Sequence, residues 1–326
     1  MLRFALIAAA AIVFASTTLP SRSVAQDGYP TKLVKIIVPY PAGGPTDLVG
    51  RLVAQRLSDL WKQPVIVENK AGASGVIGSE TVARSPADGY TLLLGNNASQ
   101  GTFEQLNPSS TPYRTLTDFA PVALVGVSPL VMVTGPQVPV KIIHEYIALA
   151  KASPGKLNYA SASLGSAPHL ASELLNIVAG IKVEHIPYNG TAPAIQALVS
   201  GTVDSYMGGV SSIIAQVEGG KARIIGAVSE RRISALPDVA TLKEQGVDVA
   251  FDSWYGLMAP ASVSPAILDK INADVRKVLD GDATKAELEK LGFERQLGTR
   301  EEFAAMLKNE IGRIGRIIRD AKIEVK

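Results

Sequence analysis

Beginning at Leu33, short β-branched runs alternate with amphipathic helical stretches, and this alternation restricts the chain to parallel sheets covered by helices. Residues 33–38, 65–68 and 91–94 are too short and too apolar for surface helices and are expected as strands. Between the first two, Leu48, Val49, Leu52, Val53, Leu57, Leu60 and Trp61 fall on one side of a helix, and residues 75–84 continue the pattern after the second strand. An apolar run at 120–135, broken by Pro129, suits a strand that leaves one lobe and enters another better than a strand within one sheet.

The alternation then starts again. Helices are expected at 142–152, 168–179 and 192–200, and strands at 157–161, 183–186 and 202–207, with 222–229 as the return strand. A strand at 254–258 and helices at 265–279 and 300–321 would pack back on the first lobe. The expected organisation is therefore two α/β lobes, residues 26–127 with 225–326 forming the first and 128–224 the second.

Residues 1–25 read as a secretory leader: Arg3 precedes an apolar run at 4–15, and Ser23-Val24-Ala25 offers small residues for cleavage. The run is well short of the roughly 20 residues a membrane span needs. Arg3 and Arg22 are the leader's only charged residues and equal the whole formal excess of +2. The exported chain would be nearly neutral, which gives no basis for nucleic acid or an anionic membrane as partner. There is no cysteine, so disulfides, zinc thiolates and thiol nucleophiles are excluded.

The chemistry-bearing feature is a recurring junction of apolar strand, turn rich in Gly, Ser or Asn, and helix. In Tyr40-Pro41-Ala42-Gly43-Gly44-Pro45-Thr46-Asp47 the glycines let backbone come close, and Pro45 sits where a helix start tolerates it. Unpaired amides and the helix dipole make such a start an anion site. The design recurs at Lys70-Ala71-Gly72-Ala73-Ser74-Gly75, at Ser161-Ala162-Ser163-Leu164-Gly165-Ser166-Ala167-Pro168-His169, and at Tyr188-Asn189-Gly190-Thr191-Ala192-Pro193. Any α/β protein needs turns of this kind structurally, so both roles stay open. In open sheets, ligands collect at the carboxyl ends of strands, which would place all four turns around one cleft.

Asp47 could act as a general base, but its position favours capping the amide near Gly44. His169, in the first turn of its helix, is expected as a neutral ring that bonds either ligand or protein. Asp204 could receive a ligand ammonium or hydroxyl, or serve as a cap. Trp254 is expected in the core. His144 and His185 lack metal-ligand partners at useful spacing, and neither a metal nor a cofactor is expected. No Gly-x-Ser-x-Gly elbow, phosphate loop or dinucleotide fingerprint is present.

The runs from Ile37 to Asp47, Val67 to Gly75, and Ala87-Asp88-Gly89-Tyr90-Thr91-Leu92-Leu93 resemble the Bug-type substrate-binding proteins of tripartite tricarboxylate transporters, the TctC family. The likeness continues through Asp118 to Val122, Pro154 to Ser161, His185 to Gly190, Leu236-Pro237-Asp238-Val239 and Trp254-Tyr255-Gly256. It implies a two-lobed periplasmic binding protein of the Venus-flytrap, type II-like class, which is not an enzyme. A small carboxylate is the implied ligand and integral membrane transporter subunits the implied partners, with a monomeric receptor and a sensor kinase as an alternative partner. An exported hydrolase working in the cleft is the competing reading.

The implied ligand-binding residues are Tyr40, Ala42, Gly43, Gly44, Thr46, Asp47, Ala71, Gly72, Ala73 and Ser74 in the first lobe. In the second they are Ser161, Ser163, Gly165, Ser166, His169, Tyr188, Asn189, Thr191, Ala192, Asp204 and Gly208. Leu164 and the Gly208-Gly209 pair depart from the family pattern and suggest a less polar distal pocket.

Overall fold

The computed structural model describes residues 28–324; the expected leader and its cleavage point lie outside them. Strands β1 (Val34–Val38), β2 (Val65–Asn69) and β3 (Thr91–Asn96) pair in parallel, with β1 in the middle. Helix α1 (Pro45–Trp61) joins β1 to β2, and α2 (Val76–Ala83) joins β2 to β3. Helix α1 buries Val49, Leu52, Val53 and Leu57 as its spacing predicts, whereas Leu48 faces outward. After β3 a wide turn at Ala98–Thr102 runs into α3 (Phe103–Leu106), then α4 (Thr115–Asp118) and β4 (Phe119–Thr134).

The second half supplies α5 (Ile143–Ala152), β5 (Asn158–Ser161), α6 (Ala167–Ala179), β6 (Glu184–Pro187), α7 (Thr191–Val199), β7 (Ser205–Gly209), α8 (Val210–Glu218) and β8 (Arg223–Ala227). Strand β5 pairs in parallel with both β6 and β7. The chain ends in β9 (Asp252–Pro260), α9 (Pro265–Asp280), α10 (Asp282–Lys290), β10 (Glu294–Arg295) and α11 (Arg300–Asp320). The strand order is β2-β1-β3-β9-β4-β7-β5-β6, with β8 and β10 also on β4.

Strand β4 belongs to both sheets. Residues 119–129 pair antiparallel with β9, and residues 130–134 pair antiparallel with β7. Strand β3 ends at Asn96, opposite Tyr255, which in turn pairs with Gly126 of β4. Strand β7 ends at Gly209, opposite Leu130. The carboxyl ends of β1–β3 and of β5–β7 therefore run towards the same short stretch of β4 from opposite directions, about 13 Å apart along that strand. The register alone turns the two sets of strand-to-helix junctions towards each other.

Each sheet has its own core. Val34, Ile36, Leu52, Leu92 and Leu257 pack in the first, and Met132, Tyr146, Tyr159, Leu170 and Met207 in the second. The expected return at 225 is corrected by the pairing: β8 bonds residues 131–134 of β4, and Leu242, Val247 and Val249 after it fill the second core. Ala227 and Thr241 form a bridge that keeps this segment in place, so the chain rejoins the first sheet only at β9. Helix α11 also differs from expectation. Phe303, Leu307 and Ile311 pack in the first lobe, while Ile314, Ile317 and Ile318 pack in the second.

A capping box starts α11, with Thr299 accepting from the Glu302 amide and the Glu302 carboxylate accepting from the Thr299 amide. Phe303, one residue later, is buried edge-on against Trp254, its ring filling the space beside Gly256. Phe303→Ala is expected to cost about 3–5 kcal/mol in urea unfolding, the usual range for emptying a core aromatic site. A loss below about 1 kcal/mol would show that this end of α11 is not anchored by its core contacts.

Candidate functional site

In the first lobe the two predicted turns are joined by side chains. Asn69, the last residue of β2, donates to the Tyr40 carbonyl at 3.0 Å and to Asp47 Oδ1 at 2.9 Å. The Tyr40 hydroxyl donates to Asn96 Oδ1 at 2.7 Å, and that oxygen also accepts the Ala98 and Ser99 amides. Asp47 Oδ2 accepts from the Gly43 amide and from Arg51 Nε, both at 2.9 Å. Burial alone would raise the Asp47 carboxyl; Arg51, the Gly43 amide and Asn69 outweigh it and hold the carboxyl below its usual 3.8. Asp47 is thus the internal brace of its turn, not a free base. Asn69, Asn96 and Ser99 were not singled out from sequence, because nothing local marks an amide at a strand end as a support.

The second turn has an unusual backbone. Gly72, Ala73, Ser74 and Gly75 all have positive φ, at 140, 45, 54 and 98°. Two of them carry a Cβ, which makes the left-handed region cost roughly 1–2 kcal/mol per residue. The turn is held by contacts at its end: a Cβ on Gly75 would lie 2.8 Å from Ser99 Cβ and 3.2 Å from the Tyr40 hydroxyl. The Gly75 amide closes the turn on the Gly72 carbonyl at 3.0 Å. On the first turn Gly43 has φ +84°, and a Cβ built there meets nothing within 4 Å, so its face is open.

The second-lobe turns are likewise tied together. The Tyr188 amide donates to the Ser161 carbonyl at 2.9 Å and the Gly190 amide to the Ala162 carbonyl at 2.8 Å. Ser161 Oγ donates to the Ser163 carbonyl at 2.9 Å and lies 2.7 Å from His185 Nε2, which must then carry its proton. The Gly165 amide donates to His169 Nδ1 at 2.9 Å, which leaves that ring's proton on Nε2. The two imidazoles stack at 3.9 Å. Burial lowers both, His169 to about 3 with help from His185, and His185 to about 4, so both are neutral at pH 7.

The structure sorts the predicted residues. Ala42, Gly43, Ala71, Ala73, Ser74, Ser163, Asn189, Thr191 and Ala192 are exposed at the rims of the turns, with Tyr40, Gly44, Gly72 and Tyr188 half-buried. Thr46, Asp47, Ser161, Gly165, Ser166 and His169 are buried beneath them as supports. Asp204 is corrected. It precedes β7, level with Asn158 at the amino end of β5, where its Oδ2 accepts the Asn158 amide at 2.9 Å. The turns lie at the other end of both strands. Gly208 is corrected too, since the Tyr206 ring fills its open side and a Cβ there would fall 2.2 Å from that ring.

No side chain caps α1, α2, α6 or α7, the four helices that start at the turns. The Val76 amide of α2 already bonds the Ala73 carbonyl; the other first-turn amides and the dipoles are left to an outside acceptor. The charged side chains of the four turns, Asp47 and Lys70, are both paired within the first lobe, Lys70 with Glu68 at 3.3 Å. The Ser161–His185 pair has the composition of a nucleophile and base, but Ser161 is fully buried and its proton is committed to a carbonyl. Across the lobes, Gly165 comes against Thr102 and Leu106.

At the junction itself Asn97 donates to the Asp252 carbonyl at 3.2 Å and Glu310 Oε1 at 3.0 Å, and accepts the Trp254 amide at 2.9 Å. Trp254 is buried, as its sequence setting predicts. A cavity of about 590 Å³ lies here, lined by β4, β9, β10 and α11, away from the four turns. Burial, with Glu294 adding to it, pushes the Asp252 carboxyl on its wall up to about 7. Among the described residues no group of His, Asp and Glu is arranged to hold a metal, and no helix is long and apolar enough to cross a membrane.

Two α/β lobes joined by the shared strand β4, with uncapped helix starts converging on the junction, define the periplasmic binding protein class. The chain belongs to the tripartite tricarboxylate transporter family of receptors, TctC, whose family model matches residues 49–323. Protein BugT of Bordetella pertussis is 33% identical over 315 residues, covering 96% of this chain and 97% of that protein. MatC from Rhodopseudomonas palustris, solved with bound malate, superposes with a TM-score of 0.76 at 31% identity, over 89% of this chain and 100% of that one. An R. palustris protein solved with adipate gives 0.80 at 30% identity, over 91% and 99%.

Two outcomes test the first-lobe turns. Because the folded Asp47 carboxyl is held low, its contribution is complete above pH 3.8 and disappears as pH falls below it. Asp47→Asn is expected to lose about 1–3 kcal/mol in urea melts at pH 7, with the gap to wild type narrowing below pH 4. A constant gap would mean the charge contributes nothing. Ala73→Gly is expected to raise the unfolding midpoint, since relief of the left-handed Cβ, roughly 1 kcal/mol, outweighs the added chain entropy. A fall would show that Ala73 is not strained.

Proposed function

We propose that the chain is an exported solute receptor that closes its lobes around a small carboxylate and hands it to the integral membrane subunits of a tripartite tricarboxylate-type transporter. The observation that carries this reading is the convergence of four uncapped helix starts on one stretch of β4. In this reading the first lobe takes the carboxylate on the amides of Gly44, Thr46, Ala73 and Ser74, with Tyr40 and Asp47 fixing the turns from below. The second lobe, through Ser163, Asn189, Thr191 and Ala192, takes the remainder of the ligand. Relatives solved with malate and adipate support a carboxylate as the ligand class.

The receptor acts as a monomer in the periplasm, after loss of its leader, and does not turn its ligand over. The committed proton of Ser161 and the saturated carboxylate of Asp47 both argue against a hydrolase. A sensor kinase reading the closed form is the alternative partner, separable by which membrane protein is retained when ligand is present.

Calorimetry with a panel of small acids tests the reading. Wild type is expected to bind at least one of them, and Gly43→Val, whose side chain would stand in the open space of the turn, to bind at least about 100-fold more weakly. A circular dichroism melt of the variant shows whether the φ of +84° has cost it its fold. Equal affinity in a folded Gly43→Val protein would place the ligand elsewhere, and hydrolysis of an ester or amide panel would overturn the receptor reading.

A further inference from the structure

The cavity of about 590 Å³ that lies away from the four turns is framed by two regular spacings. Asp252 and Trp254 stand two apart on β9 and so project from the same face of the sheet, with Pro129 and Val127 of β4 directly opposite them. Met306, Glu310 and Arg313 stand at intervals of four and three on α11, so one face of that helix supplies all three to the cavity wall. Residues 229–231 after β8 complete the wall from the second lobe, and Glu294 and Gln296 from the first. The volume lies within the range of small-molecule sites, roughly 300–1,000 Å³.

Two buried polar atoms on this wall have no partner among the described residues. Trp254 is 3% exposed and its Nε1 donates to nothing, while Asp252 Oδ1 is sealed from solvent and accepts from nothing. Unpaired buried groups are uncommon because each has lost water without gaining a substitute. Both belong to side chains that point from the sheet into the same space.

The surrounding charges leave Asp252 short of a cation. Glu310 is matched by Arg313 at 2.8 Å, and Arg313 also donates to the Ala250 carbonyl and lies over the Phe251 ring. Glu230 is matched by Lys243 at 2.6 Å. Glu294 accepts the Ser234 amide at 3.2 Å, and Arg231, on the same wall, is exposed. Burial and the Glu294 charge together hold the Asp252 carboxyl up at about 7, as expected of a carboxylate without a counter-ion. Beside it Leu124, Val127, Phe251 and Met306 offer hydrocarbon surface.

We propose that this cavity is a second ligand site, separate from the cleft, and that it takes a small organic amine in its protonated form. The ammonium sits against Asp252 and Glu294, an oxygen on the same molecule accepts from Trp254 Nε1, and the carbon chain lies on the apolar wall. The assignment is independent of which solute the cleft receives.

Calorimetry with 6-aminohexan-1-ol and with hexane-1,6-diol, its uncharged match, tests this. Wild type is expected to bind the amine at least about tenfold more tightly than the diol at pH 8. The ammonium needs the ionised carboxylate, and the amine itself stays protonated, so amine affinity is expected to fall about tenfold from pH 8 to pH 6, with protons released on binding near pH 7. Asp252→Asn is expected to weaken the amine at least about tenfold, leave the diol unchanged and remove the pH dependence. Met306→Trp fills the space from α11 with both carboxylates left in place, and is expected to weaken amine and diol alike. Circular dichroism melts show whether the variants are folded. Equal binding of amine and diol by wild type, no binding of the amine at all, or unchanged amine affinity in folded Asp252→Asn or folded Met306→Trp protein would each overturn the proposal.

Discussion

The register of β4 is the constraint on which the rest of the molecule depends. Its first eleven residues are fixed by β9 and its last five by β7 and β8, so a single extended segment sets where both sheets begin and end. A slip of one residue would exchange the two faces, and in the second half it would send Leu130 and Met132 into the core that Val131 and Val133 fill, and the reverse. Buried Val122, Val125, Val131 and Val133 forbid that slip on either side of the junction. Because the strand is shared, fixing its register also fixes the opposition of the turns. The cleft follows from strand pairing before any ligand-binding residue is considered.

In the proposed site the turns have no charged side chains of their own to spare. Asp47 is consumed by the Gly43 amide, Arg51 and Asn69, and the imidazoles of His169 and His185 are consumed by Gly165 and Ser161. These groups serve as rigid supports for backbone that faces outward. A preorganised amide costs nothing to orient when a ligand arrives, whereas a flexible charged side chain would have to be ordered at that moment. The left-handed run from Gly72 to Gly75 is the point where this rigidity is costliest, since Ala73 and Ser74 occupy a conformation that their Cβ atoms oppose.

Much of this was legible in the sequence for a simple reason: apolar periodicity and Gly/Pro punctuation are local, and they marked β1–β6, β9, α1, α2, α5–α7, α9, α11 and the four turns. What depended on pairing between distant segments was not legible. The run at 222–229 is apolar enough to serve either lobe, and only its bonds to residues 131–134 assign it. Strand β7 was expected three residues early, and that shift is what made Asp204 look like a strand-end ligand group. Helix α8 escaped notice because Ser211 and Ser212 follow a pair of glycines and read as loop.

Helix α11 gives the first lobe Phe303, Leu307 and Ile311 and the second lobe Ile314, Ile317 and Ile318, all within its 21 residues. The second core, although built mainly from the middle of the chain, therefore has one wall supplied by a helix that is also part of the first core, so neither lobe has a complete core of its own without α11.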